Sequence, residues 1–183
     1  MKLIHVALIP LLCVAGAASA GKITLGGSQA ESCYLAAEAG SSGAQDLQTC
    51  DRALVEDALS REDKASTHVN RGIILMNRAD YAAAGRDFAR ALEIEPDQAD
   101  AYLNAAILAM HEEDAARAVQ LSTRSIELEP MKPHLAYYVR GIANEDIGEV
   151  SSAYRDLKAA AALAEPGWDE AARELTRYQV VGR

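Results

Sequence analysis

The chain has 183 residues, room for one domain, and half of them are apolar although only 5% are aromatic. Alanine is abundant and no continuous run of Val, Ile and Thr indicates a strand, so the composition favours closely packed helices. The formal net charge of −9 argues against nucleic acid or an anionic membrane surface as a partner, because phosphate binding requires clustered Lys and Arg.

Residues 1–20 have the pattern of a secretory signal. An apolar run from Leu3 to Val14 follows Lys2, and Ala18-Ser19-Ala20 is a small-residue cleavage site. The alternative is a membrane anchor, but the run is too short to span a bilayer. We expect cleavage after Ala20 and export of the mature protein to the periplasm. No second apolar run is long enough to span a membrane, so we expect no membrane insertion after cleavage.

The mature chain starts with a predicted flexible segment, 21–30, followed by two helical stretches within 31–60 around Gly40-Ser41-Ser42-Gly43. Cleavage removes Cys13 and leaves Cys33 and Cys50. In an exported protein such a pair indicates a disulfide. The alternative is a pair of metal ligands, but no histidine lies near either cysteine.

A short phrase ending in Glu-Pro occurs three times, as ALEIEP, SIELEP and AALAEP. Its prolines, Pro96, Pro130 and Pro166, are 34 and then 36 residues apart. A period of this length is typical of helix-turn-helix repeats, and each proline ends a helix. In the first copy we predict helices from about Thr67 to Asn77 and from about Tyr81 to Ile94. Asp80 and Asp114 occupy N-cap positions in the first two copies.

The copies resemble tetratricopeptide repeats (TPRs), in units 65–98, 99–132 and 133–166. Ala109, Ser122 and Asn144 are smaller or more polar than the TPR pattern prefers. The pattern falls on His68, Gly72, Leu75, Ala84, Phe88, Ala91 and Pro96, then on Tyr102, Ala106, Ala109, Ala118, Ser122, Ser125 and Pro130, and then on Tyr137, Gly141, Asn144, Ala153, Leu157, Ala160 and Pro166.

The resemblance implies an all-α, right-handed α-solenoid of TPR helix hairpins. The apolar faces at the two ends of such a stack must be covered. Residues 31–60 resemble a degenerate copy in which Cys33 and Cys50 face each other, so that a disulfide staples this first hairpin. The segment 167–181 forms an amphipathic capping helix. Trp168 could alternatively be a ligand platform, but its helical spacing to Leu175 favours core packing.

Two charge pairs recur in the same register. Arg71 and Asp87 are 16 residues apart, as are Arg140 and Asp156, whereas the middle copy has Ala105 and Leu121 at these places. We hypothesise an ion pair between the two helices of the first and third copies. The alternative is that these are unrelated surface charges.

The sequence shows no catalytic constellation, so we expect no enzyme activity, no cofactor and no metal. HEED at 111–114 resembles a zinc-protease helix only superficially, because Ala115 stands where the second histidine is required. We interpret His111 as a solvated residue at a helix end.

The TPR resemblance implies a concave groove lined by the first helix of each copy. Asparagine can bind a peptide backbone, isoleucines can form an apolar floor, and methionines can adapt to a partner. The predicted groove residues are Asn70, Ile73, Met76 and Asn77, then Asp100, Leu103, Asn104, Ile107, Met110 and His111, and finally Tyr138, Ile142 and Glu145.

Some TPR domains hold the C-terminal carboxylate of chaperones with Lys and Arg. The matching places here are Val69, Asp100, Asn104, Leu135 and Val139, which argues against such a clamp. We therefore expect a non-catalytic adaptor in the periplasm, a monomer or weak oligomer, that binds an extended or helical segment of an unidentified envelope protein. The alternatives are a structural subunit that self-assembles or fills a complex, and an accessory subunit that holds a small ligand.

Overall fold

A computed structural model describes residues 28–178, and within this range the chain forms helices and no strand. The predicted signal and its cleavage site lie outside the described residues, as does most of the segment 21–30. No helix among the described residues is long and apolar enough to cross a membrane. The helices are α1 (Gln29–Glu38), α2 (Ala44–Glu56), α3 (Arg61–Asn77), α4 (Tyr81–Ile94), α5 (Ala99–His111), α6 (Ala115–Glu127), α7 (Pro133–Asp146), α8 (Val150–Leu163) and α9 (Glu170–Leu175).

The first hairpin joins α1 to α2 and contains the predicted disulfide. Ser28 caps α1 by accepting a hydrogen bond from the backbone N–H of Glu31, so the helix begins at Gln29, inside the segment 21–30 that was predicted to be flexible. Cys33 and Cys50 are bonded and fully buried, with their Cα atoms 4.9 Å apart. The disulfide prediction is confirmed, and closing this loop stabilises the fold by about 3 kcal/mol.

The turns inside the next two hairpins follow the predicted capping chemistry. Asp80 accepts a hydrogen bond from the backbone N–H of Ala83, and Asp114 accepts one from Arg117. The residue before each cap is left-handed, with φ of 61° at Ala79 and 60° at Glu113. These contacts satisfy N–H groups at the start of α4 and α6, so each hairpin turns within a few residues.

Small residues let the two helices of a hairpin approach closely. A Cβ atom on Gly72 would overlap the ring of Phe88, with Cδ1 only 2.9 Å away, and a Cβ on Gly141 would lie 3.0 Å from Cγ of Leu157. In the middle hairpin the smaller Ser122 replaces these large side chains and donates its hydroxyl to the carbonyl of Ala118. The departure from the repeat pattern at Ser122 is therefore accommodated within its own helix.

The two predicted ion pairs are present. Arg71 donates from Nε and Nη2 to the two carboxylate oxygens of Asp87 at 2.8 and 2.7 Å. Arg140 holds Asp156 in the same two-bond arrangement, at 2.8 Å for both contacts. In the middle hairpin Ala105 and Leu121 belong to one apolar cluster instead.

The hairpins stack so that their first helices form an inner layer. Successive first helices, α1, α3, α5 and α7, pack on one another, whereas α2, α4 and α6 pack chiefly on the two inner helices that flank them. Because the inner helices approach one another more closely than the outer ones do, the stack curves with the inner layer on its concave side. The all-α solenoid predicted from the repeats is confirmed.

The C-terminal end of the stack is covered by α9 and by Trp168, which precedes this helix. Trp168 packs edge-on against His134 and Tyr138, with ring centroids 4.9 and 5.3 Å apart, so it is a packing residue as the spacing predicted. Ala171 of α9 is fully buried. The helix itself has six residues, Glu170–Leu175, and is shorter than the predicted segment 167–181, whose last residues lie outside the described range.

Candidate binding groove

The concave side of the inner layer carries the residues predicted from the sequence, and the structure divides them by exposure. Asn70, Leu103 and Asn104 are fully buried, Ile73 is 1% exposed and Asp100 is 4% exposed. Ile73 belongs to a hydrophobic cluster that includes residues of α5, and Leu103 packs with residues of α7. Their sequence positions predicted one inward-facing lining, whereas in the structure these five residues form its buried floor.

Two of the buried residues make hydrogen bonds that hold the middle repeat together. The side chain of Asn104 donates to the backbone carbonyl of Asp100 at 2.7 Å. The carboxylate of Asp100 accepts a hydrogen bond from the backbone N–H of Met131, in the connection between α6 and α7, at 3.2 Å. Both residues thus have a structural role that their inward position alone did not indicate.

The accessible part of the predicted set is mostly apolar. Met76, Ile107, Met110, Tyr138 and Ile142 are all partly exposed. Asn77 is exposed at the rim, where its side chain donates to the carbonyl of Ser41 at 3.1 Å. That these residues bind a partner stays a prediction, but they form the part of the inner face that a partner would reach first.

Leu35 also belongs to this surface, although it was not among the residues predicted from the sequence. Leu35 in α1 is 58% exposed, among the most exposed large apolar side chains in the described chain. When Cys33 is laid on Arg71, Leu35 falls at the place of Ile73, Ile107 and Ile142. The register that aligned the cysteines could therefore have found it. We use the name inner groove for the partly exposed apolar residues Leu35, Met76, Ile107, Met110, Tyr138 and Ile142.

An ion pair crosses the inner groove at one edge. Nζ of Lys132, the residue before α7, lies 3.1 Å from one carboxylate oxygen of Glu38 and 3.2 Å from the other, at the end of α1. Ninety-four residues separate the two in sequence. The contact therefore joins the end of α1 to the residue that precedes α7, past α3 and α5.

A second charged network surrounds Glu145, near the end of α7. Its carboxylate accepts hydrogen bonds from Arg177 at 2.9 Å and from the hydroxyl of Tyr178 at 3.0 Å. Partial burial, together with this hydrogen bond and the charge of Glu145, raises the pKa of Tyr178 to about 12. Burial raises the pKa of Tyr138 to about 12, and the nearby carboxylates Glu174 and Glu170 add to the effect. Both tyrosines are neutral at physiological pH.

His111 is not the solvated histidine that the sequence suggested. Its ring stacks on Tyr81 with centroids 5.0 Å apart, and burial lowers its pKa. It therefore acts as a neutral aromatic contact between α4 and the end of α5. In the described range, no group of three or more His, Cys, Asp or Glu side chains could hold a metal ion.

Comparisons with known proteins identify the fold. A scan against protein-family models found no match, and neither did a search of curated proteins. Among solved structures, the double mutant MamA RS-1 ArsTM is 18% identical with a TM-score of 0.61, and the match covers 83% of each chain. The first TPR of Spaghetti (RPAP3), bound to an HSP90 peptide, is 22% identical with a TM-score of 0.57 over 62% of this chain and 89% of that one.

A third solved structure agrees with these two. The second TPR domain of the human RPAP3 protein, in complex with an HSP70 peptide, is 23% identical with a TM-score of 0.58 and covers 64% of this chain and 97% of that one. At these identities the likeness establishes the fold. The chain has the TPR fold, as the repeat pattern predicted.

Proposed function

We propose that this protein is a non-catalytic adaptor that holds a segment of another protein in the inner groove. The observation that carries the proposal is the row of partly exposed apolar side chains on the concave side of a TPR solenoid, including Leu35, Ile107 and Ile142. A concave apolar surface gains binding energy by removing these side chains from water. Two of the similar solved structures hold peptides, which supports the same use of the fold.

We propose further that the protein works in the periplasm and that its partner is an envelope protein. The support is the signal pattern of residues 1–20 together with the disulfide between Cys33 and Cys50. Disulfides persist in oxidising compartments such as the periplasm and are rare in the cytosol.

The partner segment should differ from the acidic chaperone tails bound by the RPAP3 domains. The places where a carboxylate clamp has Lys and Arg hold Val69, Leu135 and Val139, together with Asp100 and Asn104. A free carboxylate would find no opposite charge there, and Asp100 would repel it. The groove therefore favours an internal segment over a C-terminal carboxylate.

Site-specific photo-crosslinking in the native envelope tests this proposal. A photoreactive residue is placed at Leu35, Met110 or Ile142, one position in each of three inner helices. The matched control is Val55, which lies in the same hairpin as Leu35 but on the outer helix α2 and is 85% exposed. We expect the groove positions to capture one common protein, identified by mass spectrometry, and Val55 not to capture it.

The same experiment separates the alternatives. Capture of the same protein from Val55 as efficiently as from Leu35 would place the contact outside the groove and contradict the proposal. A product that contains two copies of this chain would favour the self-assembling alternative instead, and light scattering at increasing protein concentration would then show a rising mass.

A further inference from the structure

The inner face carries carboxylates at both of its ends and no Lys or Arg at its inward positions. Six positions of α5 face inward, and aligning the repeats identifies the equivalent positions in α1, α3 and α7. In α5 these positions hold Asp100, Leu103, Asn104, Ile107, Met110 and His111. None of the equivalent residues in α1, α3 or α7 is Lys or Arg. The carboxylates at these equivalent positions are Glu31 and Glu38 in α1 and Glu145 and Asp146 in α7.

The middle of the face is different from its ends. In α3 and α5 the six positions hold mainly apolar and amide side chains, and the single carboxylate, Asp100, is 4% exposed and accepts a backbone hydrogen bond from Met131. The accessible surface there comes from Met76, Ile107 and Met110. Burial lowers the pKa of His111 in this part, so it carries no positive charge at neutral pH.

Basic residues from other elements neutralise only part of the charge at the two ends. Lys132 pairs with Glu38, and Arg177 pairs with Glu145. Glu31 and Asp146 have no ion-pair partner within residues 28–178, and Asp146 is exposed. Partial burial raises the pKa of Asp146, and the adjacent charge of Glu145 adds to the effect. A cation beside these two carboxylates would offset their mutual repulsion.

We infer that the inner groove accepts a protein segment with apolar residues at its centre and Lys or Arg toward both ends. The inference rests on the proposed function and specifies the partner of that same groove. Apolar side chains of the segment would cover Ile107 and Met110, while its basic side chains would meet Glu31 and Glu38 at one end and Glu145 and Asp146 at the other. Such charge complementarity selects the partner and speeds its association more than it adds affinity.

Two synthetic peptides of equal length test the inference. They share a centre of Leu, Ala and Ser and differ only in having Lys or Glu at both ends. Binding of each labelled peptide to the full disulfide-bonded chain is measured by fluorescence anisotropy. We expect the Lys peptide to bind at least about tenfold more tightly, and its affinity to fall as salt is added, because screening weakens exposed charge pairs.

Substitutions in the protein locate the effect. Combining Glu31→Gln with Asp146→Asn should weaken binding of the Lys peptide about fivefold and leave the Glu peptide unaffected or slightly stronger. The matched control is Glu93→Gln, which removes an exposed carboxylate from the outer helix α4. This control should bind the Lys peptide as the unmodified chain does.

Equal binding of the two peptides, binding of neither, or an equal loss from Glu93→Gln would overturn the inference. The proposed function is judged separately, because crosslinks from Leu35, Met110 and Ile142 do not depend on charge. Groove crosslinks to a partner whose captured segment lacks basic residues would leave the adaptor function standing and refute the charge pattern. Absence of groove crosslinks would refute both.

Discussion

Asp87 accepts two hydrogen bonds from the guanidinium of Arg71 while its side chain is only 5% exposed. The carboxylate also lies 2.9 Å from Nδ1 of His68, and Arg71 reaches Asp51 on α2 at 2.6 Å. One buried charge pair thus links three helices, α2, α3 and α4. The equivalent positions of the middle hairpin hold the apolar residues Ala105 and Leu121, which belong to one hydrophobic cluster.

The first prediction uses that apolar pair as a template. Arg71→Ala leaves a buried carboxylate without its main partner, and Asp87→Leu leaves Arg71 with only Asp51. We expect each single change to lower the free energy of unfolding by about 2–3 kcal/mol. The double variant should lose clearly less than the sum, because neither charge is then left buried and unpaired. Urea unfolding of the four proteins measures the coupling, and strictly additive losses would contradict a shared interaction.

The second prediction concerns stability in mild acid. Burial lowers the pKa values of His111 and His134 below the ordinary 6.5, with charges near His134 acting in both directions. The unfolded chain therefore binds these protons more readily than the folded chain. The free energy of unfolding should begin to fall as the pH drops below about 6.5. His111→Gln should reduce this first loss in urea unfolding measured from pH 7 to pH 5, and an unchanged loss would exclude His111 as its source.

A third prediction applies at lower pH and has another cause. Burial acts to raise the pKa of Asp87, but hydrogen bonds from Arg71 and His68 outweigh it and bring the pKa below its ordinary 3.8. The stabilisation is fully present above 3.8 and is lost as the pH falls through the lower value of the folded state. Asp87→Asn should therefore be less stable than the parent at neutral pH, and the difference should shrink on acidification below 3.8. A constant difference would contradict the assignment.

The fourth prediction contrasts two helical glycines. Gly72→Ala gains helix propensity but drives its Cβ into the ring of Phe88, so we expect a net loss of about 1–3 kcal/mol. Gly85→Ala is the matched control, since its Cβ would meet only the flexible end of Leu108 at 3.2 Å. That variant should be neutral or more stable by up to about 1 kcal/mol. Thermal unfolding compares them, and equal effects would mean that Phe88 moves aside freely.

The fifth prediction concerns the contact between Glu38 and Lys132. The side chains are 30% and 16% exposed, so the pair should contribute no more than about 1 kcal/mol to stability. Its larger effect should be on shape, because it joins the two ends of the curved inner layer. We expect Lys132→Ala to broaden the distance distribution between spin labels at Val55 and Leu163, two exposed outer positions.

A charge-swapped variant provides the control for that experiment. Glu38→Lys combined with Lys132→Glu keeps an opposite pair with its members exchanged, and it should restore a narrow distribution. If Lys132→Ala leaves the distribution unchanged, the contact does not restrain the curvature of the stack.

The sequence alone determined the features that depend on periodic local contacts. The spacing of Pro96, Pro130 and Pro166 located the helix hairpins, because a proline cannot continue a helix beyond its first turn. The common separation of 16 residues predicted the Arg71–Asp87 and Arg140–Asp156 pairs, since each pair lies within one hairpin of known register. The cysteines were predictable for the same reason, and Leu35 could have been found from the same alignment.

Only the tertiary structure determined the contacts between repeats and the burial of residues between them. No sequence pattern relates Glu38 to Lys132, because their approach depends on the curvature accumulated over several packed helices. The same packing covers Asn70, Leu103 and Asn104 and leaves Ile107 and Met110 accessible, although all five share an inward direction. Direction follows from helical period, which the sequence encodes locally, whereas burial depends on how closely neighbouring helices approach.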